Sequence, residues 1–392
     1  MDGERPEVVL FTFDAGGGHR AAANALAAAA EQQRAPFRFE VVSLQDVLAP
    51  LDIGQRLTGR PMEQTYNDMV RRRRTRFLVP MLRGLQWLLR RLRAPLEARV
   101  AAYLSTRRPA AVLSVIPNFN GILAGGVRRS HPGVPLLVLL TDFADFPPHF
   151  WMEKGLDGVI VATDDAARQA RELGLAGERI FRTSGMVLHP RFYPRAGPER
   201  RALLRQELGV PEGAFAVLVM FGGKGSPEMH PLCVGLLEAS PSWQVIAVCG
   251  DNPRLFQVLA EVEAESGGRL HRLPFTDRVA DLLAASDLLV TKPGPGSLAE
   301  AFHLGIPSVV CGNAHTIPQE RYNVRLVERE GLGIAVRHWR EMPAAAAALA
   351  TDADRLSRLR RNLGALPDNR AVYDVLDIVA RAVAARRGLP AA

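Results

Sequence analysis

Three times in this chain a hydrophobic run that reads as a buried strand ends in a glycine cluster and opens into a helical pattern: FDAGGGHRAAANAL, MFGGKGSPEMH and VTKPGPGSLAEA. A helix entered this way presents unpaired backbone N–H groups and the positive end of its dipole. The missing side chains let a ligand approach, which is the physical basis of phosphate cradles in α/β proteins. Around these junctions, apolar runs at 8–13, 111–116, 135–141 and 158–161 alternate with helical patterns such as 20–33 and 164–173. The alternation resumes with runs at 215–220, 244–249, 288–290 and 308–311. Such a pattern predicts parallel sheets buried on both faces by helices.

At 392 residues the chain outgrows a single core, and its 47% apolar content predicts folded protein rather than tail. The proline-rich stretch from Pro190 to Pro198 interrupts the alternation and reads as a linker. The expectation is an α/β chain of two Rossmann-like doubly wound domains, residues 1–192 and 198–368, facing each other across a cleft. Residues 369–392 form a final helix whose candidate partner is the first domain. Cys233, Cys249 and Cys311 form no Cys-x-x-Cys pair, so buried free thiols in a reducing compartment are expected. No basic leader precedes an apolar stretch and no apolar run is long enough to span a bilayer, which predicts a cytoplasmic protein.

Lysine is scarce: only Lys154, Lys224 and Lys292 occur, and the last two sit in glycine loops. Gly294, Pro295, Gly296 and Ser297 are placed to cradle a pyrophosphate at a helix beginning near Ser297, with Lys292 supplying charge; the alternative is a plain turn capped by Ser297. Glu300, on the first turn of that helix, is placed to accept both hydroxyls of a ribose. Gly222, Gly223 and Lys224 offer a second phosphate or sugar contact, or simply a solvated turn. No Lys-Ser/Thr pair ends that motif, so it is not a Walker loop. Gln319, Glu320 and Asn323 carry donors and acceptors suited to sugar hydroxyls, or form a polar helix start. A nucleotide-sugar satisfies all of these elements. No His/Cys/Asp cluster has metal-ligand spacing, so neither a metal nor a cofactor beyond the donor substrate is expected.

In the first half, His19 follows Gly17 and Gly18 at a helix start. A histidine there serves as general base towards an acceptor hydroxyl, its pKa lowered by the helix dipole, or hydrogen-bonds acceptor or phosphate. Asp142, ending the run at 135–141, is the other base candidate, with Asp145 close enough to compete; its alternative is a turn aspartate. Asn118 and Asn120 either line the acceptor side with Gly17 and Gly18 or make a turn.

The net charge is +8, but over residues 51–110 fourteen arginines face four acidic residues, so the rest of the chain is slightly acidic. Within this segment Leu85, Leu89 and Leu92 recur at helical spacing, with Arg83, Arg90 and Arg93 towards another side and Arg71, Arg72, Arg73 and Arg74 preceding them. A helix lying on an anionic bilayer has this pattern. A core helix with a solvated arginine face and a nucleic-acid patch are the alternatives, and no nucleic-acid motif accompanies it.

These segments resemble glycosyltransferase family 28, most closely its branch of monogalactosyldiacylglycerol synthases and bacterial diacylglycerol glucosyltransferases, over nearly the whole chain. FDAGGGHRAAANAL is similar to the branch's amino-terminal glycine loop, and TYNDMV and LLTDFADFPPHFW to its middle segments. VTKPGPGSLAEAFHLGIPSVV is its most specific motif, and IPQERYN corresponds to the stretch that reads donor sugar in the related lipid II synthase. The resemblance implies a GT-B fold and metal-independent, inverting transfer of a hexose from a UDP-sugar to a diacylglycerol-like lipid. It also implies peripheral attachment to the inner face of the cytoplasmic membrane. Carried over by position, Gly294 to Ser297 hold pyrophosphate, Glu300 the ribose, the Phe275 backbone the uracil, and Gln319 and Glu320 the sugar. Glu320 in place of a second glutamine points to a plain hexose. The same architecture would also serve UDP-sugar epimerisation, transfer to a soluble acceptor, or UDP-sugar sensing without catalysis.

Overall fold

The computed structural model describes residues 5–13, 17–51, 78–313, 316–386 and 388. Arg71, Arg72, Arg73 and Arg74 lie outside these residues, and of Arg83 only the backbone is described.

Two parallel six-stranded sheets carry the chain. The first contains β1 (Glu7–Thr12), β2 (Arg38–Ser43), β3 (Ala111–Ser114), β4 (Leu136–Leu139), β5 (Gly158–Val161) and β6 (Ile180–Arg182), in the order β2-β1-β3-β4-β5-β6. The second contains β7 (Ala216–Met220), β8 (Gln244–Val248), β9 (Leu270–Leu273), β10 (Leu288–Thr291), β11 (Ser308–Cys311) and β12 (Gly333–Val336), in the order β12-β11-β10-β7-β8-β9. The chain divides into two compact units: Met1–Pro190 with Ile317–Gln319 and Asn369–Ala392, and Arg191–Thr316 with Glu320–Asp368.

Strand order reverses once in each sheet, between β1 and β3 and between β7 and β10. Loops leaving the carboxyl ends of strands part at such a point, which is where open α/β sheets bind ligands. The register brings each pair of loops together. Phe11 lies opposite Ser114 in the first sheet, and Met220 opposite Thr291 in the second, so the loops after β7 and β10 leave side by side.

Strands β3, β4, β5, β7, β8 and β10 are buried along their whole length, which explains their almost entirely apolar sequence, with a polar residue only at one end of β3, β8 and β10. The four strands absent from the sequence reading, β2, β6, β9 and β12, are the four sheet edges. Each is only partly buried; β2, β6 and β9 mix polar with apolar residues, and β12 (GIAV) is a short run behind a glycine, so no long apolar run marks any of them.

In the first unit the helix Arg93–Ser105 packs closely on Asn120–Ser130 because Gly125 and Gly126 remove the obstructing side chains. A Cβ on Gly125 would lie 2.2 Å from the Glu97 carboxyl carbon. Buried Glu97 pairs with Arg93 at 2.7 Å and with Arg129 at 2.9 Å across that contact. The preceding helix, Leu78–Arg91, corrects the bilayer reading of its leucines. Leu89 is buried in the core, and Leu85 and Leu92 pack against it, so the stripe faces protein. Among its described side chains this helix exposes Trp87, 57% accessible with the Arg91 guanidinium 5.5 Å from its ring, together with Arg90 and Arg91. Among the described residues no helix is long and apolar enough to cross a membrane.

The helix Ala371–Arg386 belongs to the first unit, burying Val372, Val375, Leu376 and Val379. Asp374 accepts hydrogen bonds from the Ser184 backbone N–H (2.8 Å) and hydroxyl (2.6 Å). Asn369 donates to the Met186 carbonyl at 2.9 Å.

Candidate functional site

In the first unit, three segments following β1, β3 and β4 supply the candidate groups. Gly17 caps the helix Gly18–Gln32 at φ +79, a left-handed conformation that favours glycine, and no side chain caps the helix end. His19 follows. Its Nδ1 lies 3.0 Å from Thr141 Oγ1, and its ring meets Trp151 edge-on at a centroid distance of 5.6 Å. Burial, partly opposed by the Val115 carbonyl, holds its pKa at about 4, so the ring is neutral at neutral pH. Burial rather than the helix dipole is the main cause.

Asp142 is buried, and its Oδ2 accepts the Trp151 indole N–H at 2.8 Å. Asp145 accepts the backbone N–H groups of Trp151 at 2.7 Å and His149 at 3.0 Å. It shapes the turn that carries the tryptophan, and burial raises its pKa. Asn120 is fully buried: its amide donates to the Ile116 and Trp151 carbonyls, and its oxygen accepts from Ser114. This corrects its acceptor-side placement, because the side chain is committed to scaffold. Asn118, at φ +64, accepts from Gln86 at 3.3 Å.

In the second unit, the loops after β7 and β10 meet at the reversal of strand order. A Cβ on Gly222, whose φ is +78, would lie 3.2 Å from Lys292 Cε, so the lysine stem crosses the space this glycine leaves. Gly223 accepts from the Asp251 N–H at 2.7 Å, tying the β7 loop to the one after β8. Lys224 is exposed, and its carbonyl accepts from Asn252. The helix after β10 starts at Pro295 with Gly294 as cap and no side-chain cap, two residues earlier than expected. Ser297 is therefore inside the helix rather than its cap. Pro295 has no N–H to lose, while the Gly296 and Ser297 amides have no intrahelical acceptor. Glu300 falls on the second turn instead of the first. Burial raises its carboxyl pKa to about 8, with Arg191 pulling the other way.

The helix Pro318–Arg329 contributes Glu320 and Asn323 from one face, three residues apart. Asn323 is buried and donates to the Pro293 carbonyl at 2.8 Å; its Oδ1 has no partner among the described residues. Glu320 Oε1 lies 3.6 Å from Lys292 Nζ. Gln319 is buried, and its Oε1 also lacks a partner among the described residues. Phe275, after β9, is 68% exposed. Among the described residues no three His, Cys, Asp or Glu side chains gather as a metal site.

Sequence reasoning missed Thr141, Trp151 and the Lys292–Glu320 pair. No spacing rule links residue 19 with 141 and 151, or 292 with 320, because only the sheet order brings their strand ends together.

Residues 217–350 match the model of the glycosyltransferase family 28 C-terminal domain. Monogalactosyldiacylglycerol synthase 3 of Arabidopsis thaliana is 27% identical over 96% of this chain and 81% of its own length. A processive diacylglycerol beta-glucosyltransferase of Bacillus subtilis is 26% identical over 68% of this chain and 67% of its own. The crystal structure of Acinetobacter baumannii MurG shares the fold with a TM-score of 0.61 at 14% identity, covering 95% of this chain and 99% of that one. The glycine loops after β7 and β10 thus lie within the segment similar to the glycosyltransferase family 28 C-terminal domain, in a chain of GT-B fold.

Proposed function

We propose that this chain is an inverting glycosyltransferase that moves a hexose from a UDP-sugar to the hydroxyl of a diacylglycerol-like lipid, without a divalent metal. The observation that carries this reading is the meeting of two glycine loops at the β7/β10 reversal, beside a helix start whose first-turn amides have no side-chain cap. That site suits a diphosphate, and the same segment matches the family domain. Relatives named for diacylglycerol products support the acceptor class.

In this reading Gly294, Pro295, Gly296 and Ser297 hold the diphosphate with Lys292, Glu300 holds the ribose, and the Phe275 backbone the uracil. Gln319, Glu320 and Asn323 face the hexose, while Gly222, Gly223 and Lys224 close the cradle. His19 is the base rather than Asp142, whose Oδ2 is taken by the Trp151 indole. With Nδ1 held by Thr141, Nε2 takes the proton from the acceptor hydroxyl. That oxygen attacks the anomeric carbon, whose bond to the β-phosphate oxygen breaks, and UDP leaves with the electron pair from the opposite face. Backbone amides and Lys292 stabilise the growing phosphate charge, a preorganised electrostatic effect. Gly17, Gly18 and Asn118 border the acceptor. Trp87, Arg90 and Arg91 meet an anionic membrane surface at its cytoplasmic face, in company with the arginines at 71–74.

The test is to incubate the protein with a panel of UDP-sugars and extracted lipids in the presence of EDTA, following UDP release and new glycolipid by mass spectrometry. Glycolipid formation is the expected result. Isomerised donor without acceptor, or intact donor with lipid present, would overturn the reading.

A further inference from the structure

Lys292 is one of only three lysines in the chain and stands where three segments of the second unit converge. Its stem crosses the face of Gly222 in the β7 loop, with Cε 3.2 Å from where a Cβ would stand. Its own loop turns tightly, the Gly294 N–H donating to the Lys292 carbonyl at 2.7 Å. Its ammonium lies 3.6 Å from Glu320 Oε1, and that carboxylate oxygen would be 3.6 Å from a Cβ on Gly294. The Glu320 side chain is largely buried at 11% exposure, whereas Lys292 retains 46%. The buried anion is therefore the fixed partner and the exposed cation the movable one.

We infer that Glu320 is a positioning residue that holds Lys292 as its counter-ion while the cradle is empty, yields it to an arriving diphosphate, and reclaims it when UDP leaves. This rests on the proposed UDP-sugar donor, and it adds a second task to a residue otherwise placed to read the hexose. The physical argument is competition. One ammonium cannot fully neutralise both a carboxylate and a diphosphate, so the carboxylate raises the free energy of the UDP complex relative to the empty cradle. A chain with few lysines and no lysine neighbour to Lys292 in its loop has this charge to reassign. No bond forms or breaks in the exchange; the ammonium changes partners.

The experiment is calorimetric titration of the full-length protein with UDP, which lacks the sugar, at low and high salt. The wild type, Glu320→Gln, Glu320→Asp, Lys292→Met and the Lys292→Met/Glu320→Gln double variant are compared. Glu320→Gln is expected to bind UDP about fivefold more tightly at low salt, the order set by a partly exposed ion pair. The gain should shrink as salt rises. Glu320→Asp should fall back towards wild type, and in the Lys292→Met background the gain from Glu320→Gln should be smaller, since only the direct repulsion between carboxylate and diphosphate is left to relieve. In turnover, Glu320→Gln should show stronger inhibition by UDP. Equal UDP affinity in wild type and Glu320→Gln, or a gain undiminished without Lys292, would overturn the inference. If the wild type itself fails to bind UDP, the donor reading fails first.

Discussion

His19 is held neutral by its surroundings, and two consequences follow for pH. A base with a pKa of about 4 stays competent as pH falls through 6.5, the ordinary histidine value, so the pH–rate profile should show no acid limb there. In the unfolded chain the ring gains its proton near 6.5, so its contribution to stability is complete above 6.5 and is lost as pH falls towards 4. Urea midpoints of wild type and His19→Gln should converge or cross over that interval. His19→Ala should lower kcat by about 10²- to 10⁴-fold while leaving UDP affinity intact; a variant that turns over normally removes His19 as base. Glu300 has the opposite linkage. Its folded carboxyl keeps its proton up to about 8, and ribose hydroxyls favour the ionised form, so UDP binding at pH 7 should release a proton. Titrations in buffers of different ionisation enthalpy should show that release, and Glu300→Gln should abolish it. The helix starts beside His19 and in the KPGPGS loop were legible because glycine beside a helix start has a direct physical meaning. Asn120 was misplaced because a polar residue at a strand end looks the same in sequence whether it faces a ligand or, as here, bonds to Ser114, Ile116 and Trp151 inside the fold.

The helices carry their own tests. Gly126 lets Arg93–Ser105 approach closely, since its Cβ would lie 2.5 Å from Val100 Cγ1 and 3.2 Å from the Glu97 carbonyl oxygen. Gly126→Ala should therefore lower stability by about 1–3 kcal/mol through overpacking, measured by denaturant melts. On the helix Leu78–Arg91, replacing Trp87 and Arg91 together by alanine should reduce flotation with anionic liposomes, and salt should do the same to the wild type. Unchanged flotation would place membrane contact elsewhere. The leucine stripe in this helix shows why amphipathicity alone misled: period and charge define two faces but do not say whether the apolar one meets lipid or protein. Inner strands announced themselves by uninterrupted runs such as AVLVM in β7 and VIAV in β8. Edge strands such as RFEVVS and LHRL did not, because one side of each meets solvent and takes polar residues.

On the scale of the molecule, the doubly wound architecture and the break near Pro190 were readable from alternation and proline. The strand orders were not, since they depend on which runs pair, and pairing leaves no local mark. Nor were the anchors of the helix Ala371–Arg386, which rest on Ser184 and Met186, far away in the chain. Asp374→Asn weakens the charge-assisted bonds to Ser184 and should loosen this helix, read as faster amide exchange there than in β7 or β8. Because the chain leaves the first unit at Pro190 and, apart from Ile317–Gln319, returns to it only at Asn369, the second unit is in effect an insertion. Every residue of the second unit thus precedes the helix that closes the first, so the first unit cannot complete its fold before the second has been made, reversing the usual order in which amino-terminal domains mature. The half with the paired glycine loops can thus mature first, and the half bearing His19 waits for the segment from Asn369 onward.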